Sequence, residues 1–334
     1  MYRYNLASLR GSEDAAAILY FQKGWEIFLA IRSVGAWLFG ALENVESMLD
    51  FASGYGRVTR FLVRAIDPER LLVCEIHPDA VDFQRETFGV RGLVSSADPA
   101  SFSGGRFPLI AAASFFSHVP HALFQGWMKT LLAGVEPGGV LMFSALSVEL
   151  LADQGANRSG EIVYLPESES DRLDEKIYGT TYVTEEYVRR TIRNAGGDAL
   201  FVSRIPRGLG GLQDLYLVTD RDAPVASLPE ATCFPWGDAD HYGVDADGRL
   251  RAEGWVRVVE GTSRVSGVAL FVNNRQVALC EPTPVEAGTF RWSFEVDARS
   301  IGPDDVMSVR ASTERGLESI VAMGTLRTHP PARI

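Results

Sequence analysis

An acid followed by two glycines stands near residue 50, in a pattern that could hold a charged nucleotide-type ligand. The segment LDFASGYGRVTRFL, residues 49–62, places Asp50 before Gly54 and Gly56. Glycines let a ligand approach the backbone closely, and the helix expected behind this turn would offer N–H groups. A dinucleotide would expect G-x-G-x-x-G, but Arg57 takes the third glycine's place, and an acid repels phosphate. The turn therefore favours a cationic ligand.

A second acid and a histidine follow later apolar runs. Glu75 ends LLVCE, where α/β folds that bind nucleosides place a carboxylate for the ribose hydroxyls. His118 follows the run 107–116, at the sheet edge where open α/β sheets bind ligands. An imidazole there could be a general base for an acceptor hydroxyl or amine, or could pack against the ligand loop. Together, Glu75 and His118 predict that a nucleoside binds, and that a proton could be transferred, at one edge of the sheet.

Taken together, these motifs resemble those of class I S-adenosylmethionine-dependent methyltransferases. That family has an acid and then three alternating glycines; Asp50, Gly54 and Gly56 match, and Ala52 stands in the first glycine's place. The turn 137–139, Pro-Gly-Gly, resembles a later family motif. The resemblance covers roughly residues 15–220 and implies S-adenosylmethionine as the cofactor, with His118 as the candidate catalytic residue. The cofactor-binding residues that it implies are Tyr20, Gly24, Asp50, Ala52, Ser53, Gly54, Tyr55, Gly56, Glu75, Ile76, Ala97, Asp98, Ser114, Phe115 and Phe116.

Two further stretches resemble a subset of these enzymes. Tyr20 and Gly24 look like part of a helical lead-in that closes over the methionine end of the cofactor. Residues 178–188, YGTTYVTEEYV, look like the segment that lies over the acceptor. Four hydroxyl side chains there could face a polar acceptor or could equally serve ordinary packing; they are Tyr178, Thr180, Thr181 and Tyr182.

The elements that must position these residues alternate between strand and helix. Apolar residues recur at helical spacing over residues 15–42, with expected breaks at Gly24 and Gly35. Strands and helices then alternate as far as residue 218, which predicts an α/β fold with a Rossmann-like, parallel, doubly wound, seven-stranded sheet. The polar stretch 147–184 is either a lid or a solvated connection. Thr184 begins a helix with a capping residue and acids in its first turn.

A change in composition after residue 220 predicts a second domain. Residues 221–240 are rich in Pro, Gly and Asp, and the following runs have β-branched and aromatic residues without helical spacing. We therefore expect a methyltransferase domain over 1–222 and a small β-sandwich over 223–334. Trp236, Trp255 and Trp292 could stack on a sugar, but alternation around Trp292 favours a core position.

The composition of the chain limits the classes of molecule that it is expected to bind. The 334-residue chain has a net charge of −11, which disfavours nucleic acid and favours a small-molecule or glycan-like acceptor. Neither the three cysteines, Cys74, Cys233 and Cys280, nor the histidines have metal-ligand spacing, so no metal is expected. Without a leader-like or spanning apolar run, we expect a cytoplasmic protein with no membrane insertion. A homo-oligomer is compatible with the sequence, and a non-catalytic cofactor-fold protein that binds partners through its β-sandwich is the alternative function.

Overall fold

The computed structural model describes residues 13–153, 160–166, 172–222, 228, 234–259 and 263–326. The chain forms two compact units. The first, called the α/β unit below, is Ile27–Leu228, and the second, the β unit, combines Met1–Glu26 with Pro229–Ile334. The predicted domain boundary at residues 222 and 223 concerns independent folding and stays a prediction.

A mixed sheet forms the centre of the α/β unit. Its strands are β1 (Met48–Phe51), β2 (Leu71–Glu75), β3 (Arg91–Val94), β4 (Phe107–Ala112), β5 (Val135–Ser147), β6 (Ile162–Leu165), β7 (Thr180–Val183), β8 (Phe201–Leu209) and β9 (Gln213–Thr219). Seven of them lie in the order β3-β2-β1-β4-β5-β9-β8, and β7 and β6 add to the end of β5. The seven-stranded doubly wound fold is thus confirmed. Strands β1 to β5 are parallel, as predicted, but the prediction of a parallel sheet is wrong for β9, which is antiparallel to β5 and β8.

Helices connect these strands. They are α1 (Glu13–Phe39), α2 (Thr59–Leu62), α3 (Pro78–Phe88), α4 (His121–Ala133), α5 (Glu149–Asp153) and α6 (Glu185–Gly196). The Thr184 side chain accepts a hydrogen bond from the backbone N–H of Tyr187 at 3.1 Å, which confirms the predicted cap of α6.

Two expectations about helices are wrong. Helix α1 is continuous, so Gly24 and Gly35 do not break it. Gly35 instead permits close packing, since a Cβ there would lie 2.8 Å from the Cα of Leu42. The helix after the glycine turn, α2, has only four residues and begins at Thr59, so it offers no helix N-terminus next to Gly54.

The central strands are buried on both faces. All four residues of β1 and all five of β2 are buried, as expected for parallel strands between two layers of helices. Phe143 of β5 stacks on Tyr216 of β9 with ring centroids 5.1 Å apart. This stack packs β9 against β5.

The β unit contains two antiparallel sheets. Their strands are β10 (Trp236–Val244), β11 (Arg249–Arg257), β12 (Val265–Val272), β13 (Arg275–Cys280), β14 (Thr283–Glu286), β15 (Thr289–Asp297), β16 (Met307–Thr313) and β17 (Glu318–Gly324). The strand orders are β10-β11-β15-β14 and β13-β12-β16-β17. Both sheets contribute side chains to one apolar cluster, in which Trp292 is 3% exposed, so its predicted core position is confirmed.

The first half of α1 packs against the second of these sheets. Ala15, Ala16 and Leu19 form a buried cluster with Ile320 and Met323 of β17. The Gln22 amide also donates a hydrogen bond to the carbonyl oxygen of Glu318 at 3.2 Å. Residues 13–26 of α1 thus belong to the β unit, whereas the rest of the helix belongs to the α/β unit.

Among the residues that the structure describes, no helix has the length and apolar character needed to cross a membrane. Cys74 is buried in β2, and burial raises the pKa of its thiol to about 12. Cys280 is half-buried, and Cys233 lies outside the described residues.

Candidate functional site

The turn after β1 contains three left-handed residues. Ala52 and Gly54 each have φ of 57°, and Gly56 has φ of 72°. Around Gly56 a Cβ would lie 2.5 Å from a ring carbon of Phe88, so this glycine serves packing against α3. Around Gly54 a Cβ would meet no atom within 4 Å. Gly54 therefore leaves an open approach to the backbone, where a ligand could lie.

Glu75 holds this turn in place. Its Oε2 accepts a hydrogen bond from the N–H of Gly54 at 3.0 Å, and its Oε1 accepts one from the N–H of His77 at 3.2 Å. The residue is buried. Each carboxylate oxygen has two acceptor positions, so both oxygens can accept a further hydrogen bond from a ligand hydroxyl.

Asp50 belongs to a buried hydrogen-bond cluster. The Thr59 hydroxyl oxygen lies 2.8 Å from Asp50 Oδ2 and 2.7 Å from Gln84 Oε1. The Gln84 amide nitrogen donates to the Gly54 carbonyl oxygen at 2.7 Å and to Ser53 Oγ at 2.9 Å. Asp50, Ser53 and Gly54 are thus connected through two residues of α2 and α3, although desolvation by burial raises the pKa of Asp50 to about 7.

Tyr55 lies on the solvent side of the same turn. Its hydroxyl donates to Asp79 in the first turn of α3, and Arg172 forms a bidentate ion pair with Asp79 at 2.9 and 3.0 Å. Arg172 also donates to the Tyr55 hydroxyl at 3.2 Å. Arg172 belongs to the polar stretch 147–184, so an exposed ion pair joins this residue to the start of α3 and a hydrogen bond joins it to the turn.

The loop after β4 contains Ser114, which is left-handed with φ of 59°. Its N–H donates to Ser144 Oγ at 2.8 Å, the Ser144 hydroxyl donates to Gln213 Oε1 at 2.6 Å, and the Gln213 amide donates to Ser114 Oγ at 3.0 Å. This closed network fixes the loop against β5 and β9.

His118 is buried in the same loop. Its Nδ1 lies 2.8 Å from the carbonyl oxygen of Gly179, and its ring stacks on Tyr178 with centroids 4.6 Å apart. A carbonyl oxygen can only accept, so Nδ1 carries the hydrogen in the neutral ring and Nε2 carries the lone pair. The local geometry therefore presents Nε2 as the basic nitrogen.

Residues 178–181 are bound along the His118 loop. The N–H of Gly179 donates to the His118 carbonyl oxygen at 2.8 Å, and the N–H of Thr181 donates to that of Ser117 at 2.7 Å. The Thr181 hydroxyl donates to the Val119 carbonyl oxygen at 2.7 Å and is fully buried. Thr181 therefore has a structural role, and Tyr182 is also buried, in a small apolar cluster.

Aromatic rings connect the end of β1 with the loop after β4. Phe115 packs edge-on against Phe51 with ring centroids 4.9 Å apart, and the ring centroids of Phe51 and Phe102 are 6.2 Å apart. Phe115 is half-buried, whereas Phe116 is fully buried and packs against Phe124 and Phe143. The side chain of Phe116 is thus a core residue, and that of Phe115 is the one near the surface.

The other implied cofactor residues lie in separate places. Ile76 is half-buried directly after Glu75, and Ala97 is half-buried before Asp98. Asp98 is exposed, and its Oδ1 caps a short 3₁₀ helix by accepting from the N–H of Ala100 at 2.9 Å. Tyr20 and Gly24 lie in the β unit, in the first half of α1, and their cofactor role stays a prediction.

The hydrogen bonds therefore bring together Asp50, Ser53, Gly54 and Glu75, four of the residues predicted to bind the cofactor. Thr59 and Gln84, which join them, are not part of the sequence motif. Thr59 lies nine residues after Asp50, in the helix that follows the turn, and this short spacing could identify it from the sequence. Gln84 has no comparable signal, since its contacts span 25 to 31 residues. Within the described ranges, no group of three or more His, Cys, Asp or Glu side chains could hold a metal ion.

Solved structures that this chain resembles include several methyltransferases. One, an S-adenosylmethionine-dependent methyltransferase from Clostridium acetobutylicum ATCC 824, is 16% identical with a TM-score of 0.41, over 59% of this chain and 91% of that one. An O-methyltransferase family protein from Burkholderia thailandensis is 15% identical with a TM-score of 0.43, over 62% and 59%. The N-methyltransferase NodS from Bradyrhizobium japonicum WM9, in complex with S-adenosyl-L-homocysteine, is 15% identical with a TM-score of 0.41, over 65% and 95%. No protein-family model and no curated protein matches the chain.

Proposed function

We propose that this protein is an S-adenosylmethionine-dependent methyltransferase. The observation that carries the proposal is the open flank of Gly54 beside the Glu75 carboxylate. The adenosine part of the cofactor has a ribose with two hydroxyl groups, and Glu75 retains acceptor positions for them. A side chain at residue 54 would fill the space that the ligand needs.

The charges at this turn fit a cationic ligand. Asp50 and Glu75 lie on neighbouring strands, and the Glu75 carboxylate raises the free energy of a negative charge on Asp50. A positive charge nearby relieves this repulsion, whereas a pyrophosphate would add to it. The sulfonium and amino groups of S-adenosylmethionine are both cationic, so the site favours this cofactor over NAD.

His118 is the proposed general base. Bound S-adenosylmethionine supplies a methyl carbon that its sulfonium group has already activated. Gly179 and Tyr178 orient the His118 imidazole, so Nε2 can accept a proton from the acceptor hydroxyl or amine as that atom attacks. The loops after β1 and β4 position the two partners at adjacent strand ends, which supplies much of the rate by proximity.

The proposed acceptor is a small or glycan-like molecule with a hydroxyl or amine group. The net charge of −11 opposes binding to a phosphate backbone. Four side chains within residues 178–182 carry a hydroxyl group. Thr181 and Tyr182 are buried in packing roles. Tyr178 and Thr180 are half-buried and are therefore the candidates to contact an acceptor.

Calorimetric titration tests the cofactor. We expect the full chain to bind S-adenosylmethionine and S-adenosylhomocysteine but not NAD, because only the first two lack a pyrophosphate. Incubation of the protein and a labelled methyl donor with fractions of small hydroxylated and amino compounds would then identify the acceptor. Binding of NAD in preference to S-adenosylmethionine would overturn the proposal.

A further inference from the structure

The buried cluster of Asp50, Thr59 and Gln84 has a surplus of acceptors. The Gln84 amide nitrogen uses both of its hydrogens, on the Gly54 carbonyl oxygen and on Ser53 Oγ. Its oxygen therefore faces Thr59 and can only accept. The Thr59 hydroxyl has one hydrogen, but its oxygen lies within 2.8 Å of both Gln84 Oε1 and Asp50 Oδ2.

A hydrogen on Asp50 resolves this surplus. If Thr59 donates to Gln84, an ionised Asp50 would face the Thr59 oxygen with no hydrogen between two buried acceptors, which is costly. A protonated Asp50 instead donates to Thr59, and the chain Asp50 to Thr59 to Gln84 to Gly54 is satisfied at every step. Thr59 and Gln84 are fully buried, so no solvent hydrogen bond is available to replace a missing one.

The surrounding charges act in both directions. Arg57 favours the ionised form of Asp50, whereas Glu75 disfavours it, and Cys74 on the next strand is a neutral thiol whose own pKa is raised. Burial is the largest influence and raises the pKa of Asp50 to about 7, although a hydrogen bond donated by Thr59 to Asp50 would lower it. The dominant effect of burial thus acts in the same direction as the hydrogen count, because Thr59 has only one hydrogen for its two acceptors.

We propose that Thr59 and Gln84 are positioning residues that keep Asp50 as a neutral carboxyl in the cofactor-free site, and that binding of the cationic cofactor releases this proton to solvent. The second half of the proposal rests on the proposed function. Binding adds positive charge next to a site with two carboxyl groups, so the O–H bond of Asp50 breaks, its electron pair stays on the carboxylate, and the proton passes to the buffer. Cofactor affinity then falls in acid.

The protonation state is measured without any ligand. In protein labelled with ¹³C at the aspartate carboxyl carbons, we expect one resonance to titrate near pH 7, and to be absent in Asp50→Asn. In Gln84→Met the Thr59 hydrogen becomes available to Asp50, so the titration moves about one pH unit lower. Gln125→Met, on the exposed surface of α4, is the matched control and leaves it unchanged.

If no aspartate in the wild-type protein titrates above about pH 5, the proposal that Asp50 is a neutral carboxyl is overturned. Asp50→Asn keeps a side-chain donor for Thr59, so it preserves the fold and decides the assignment even where Gln84→Met fails to fold. An unchanged titration in folded Gln84→Met would overturn the positioning role.

Proton release is measured by titrating S-adenosylmethionine into the full chain at pH 6 in two buffers with different ionisation enthalpies. We expect close to one proton released by the wild-type protein and none by Asp50→Asn. The wild-type Kd should be about tenfold weaker at pH 6 than at pH 8, beyond any change seen in Asp50→Asn. Binding without proton release would overturn the coupling. Absence of any binding would overturn the proposed function, while the carboxyl titration still decides the state of Asp50.

Discussion

The N–H of Gly54 donates to the carboxylate of Glu75 at 3.0 Å, so the acid that ends β2 also fixes the turn after β1. Glu75→Ala removes this acceptor and the proposed acceptor for both ribose hydroxyls. We expect cofactor affinity to fall by about 1.5 to 3 kcal/mol, the usual range for hydrogen bonds to a charged group. Calorimetry on the purified variant measures the change.

Glu86→Ala is the control for this prediction, because Glu86 is an exposed acid on α3 outside the site. It should bind the cofactor as the wild-type protein does. If Glu75→Ala lowered the melting temperature but left cofactor affinity intact, Glu75 would be a residue of the turn and not of the ligand site.

Gly54 and Gly105 form a matched pair. Both have positive φ, and a Cβ at either would meet no atom within 4 Å. Valine at either position should therefore cost a similar amount of stability, on the order of 1 to 2 kcal/mol, from the left-handed backbone. Only Gly54→Val should abolish cofactor binding, as measured by calorimetry on folded protein. Equal binding by both variants would place the cofactor elsewhere.

The sequence predicted the features whose causes are local. Apolar runs, a Gly-containing turn and a capped helix each depend on neighbouring residues, and these gave the seven strands, the Asp50 to Gly56 turn and the start of α6 at Thr184. The carbonyl of Gly179 beside His118 lies 61 residues away, and Ile320 beside Leu19 lies far along the chain. Such pairings depend on how the whole chain packs, so residue spacing could not predict them.

Asp50 also makes the stability of the fold depend on pH. Its pKa is 3.8 when unperturbed and about 7 in the folded protein, so the fold holds this proton more tightly than the unfolded chain does. The stabilisation is complete below about pH 4 and is lost as pH rises through 7. Asp50→Asn never ionises and should be more stable than the wild type at pH 8, by roughly 2 to 4 kcal/mol.

Urea unfolding at pH 5 and pH 8 measures this difference, which should be much smaller at the lower pH. Asp82→Asn removes an exposed carboxylate from α3 and should show no such pH dependence. An Asp50→Asn variant that is less stable at pH 8 would show that the carboxylate form stabilises the fold.

Two shortened chains test the domain boundary and the lead-in together. A chain of residues 1–222 retains all the matched motifs, so it should fold and bind the cofactor, with the apolar face of Ala15, Ala16 and Leu19 exposed.

A chain of residues 27–222 lacks Tyr20 and Gly24. Weaker cofactor binding by the second chain alone would support their predicted role, and equal binding would exclude it. Loss of cooperative unfolding in both would show that the β unit is required for one common fold.

Variants of His118 and His121 distinguish a catalytic role of His118 from a packing role. His118 is buried and oriented by Gly179, whereas His121 is exposed at the start of α4 with its Nδ1 2.9 Å from the Tyr187 hydroxyl. If His118 is the general base, His118→Ala should retain cofactor affinity and lose roughly 10²- to 10⁴-fold in turnover, the usual contribution of positioned proton transfer. His121→Ala should retain turnover.

Turnover is measured with the acceptor that the labelled-donor screen identifies, under conditions that saturate the cofactor. Because only a ring with an unprotonated Nε2 can accept a proton, the acid limb of the wild-type rate profile should be missing from the residual activity of His118→Ala. A packing role predicts the reverse pattern, in which cofactor affinity or the melting temperature falls and the shape of the pH profile is kept. Wild-type turnover by His118→Ala would mean that positioning at the ends of β1 and β4 is sufficient for methyl transfer.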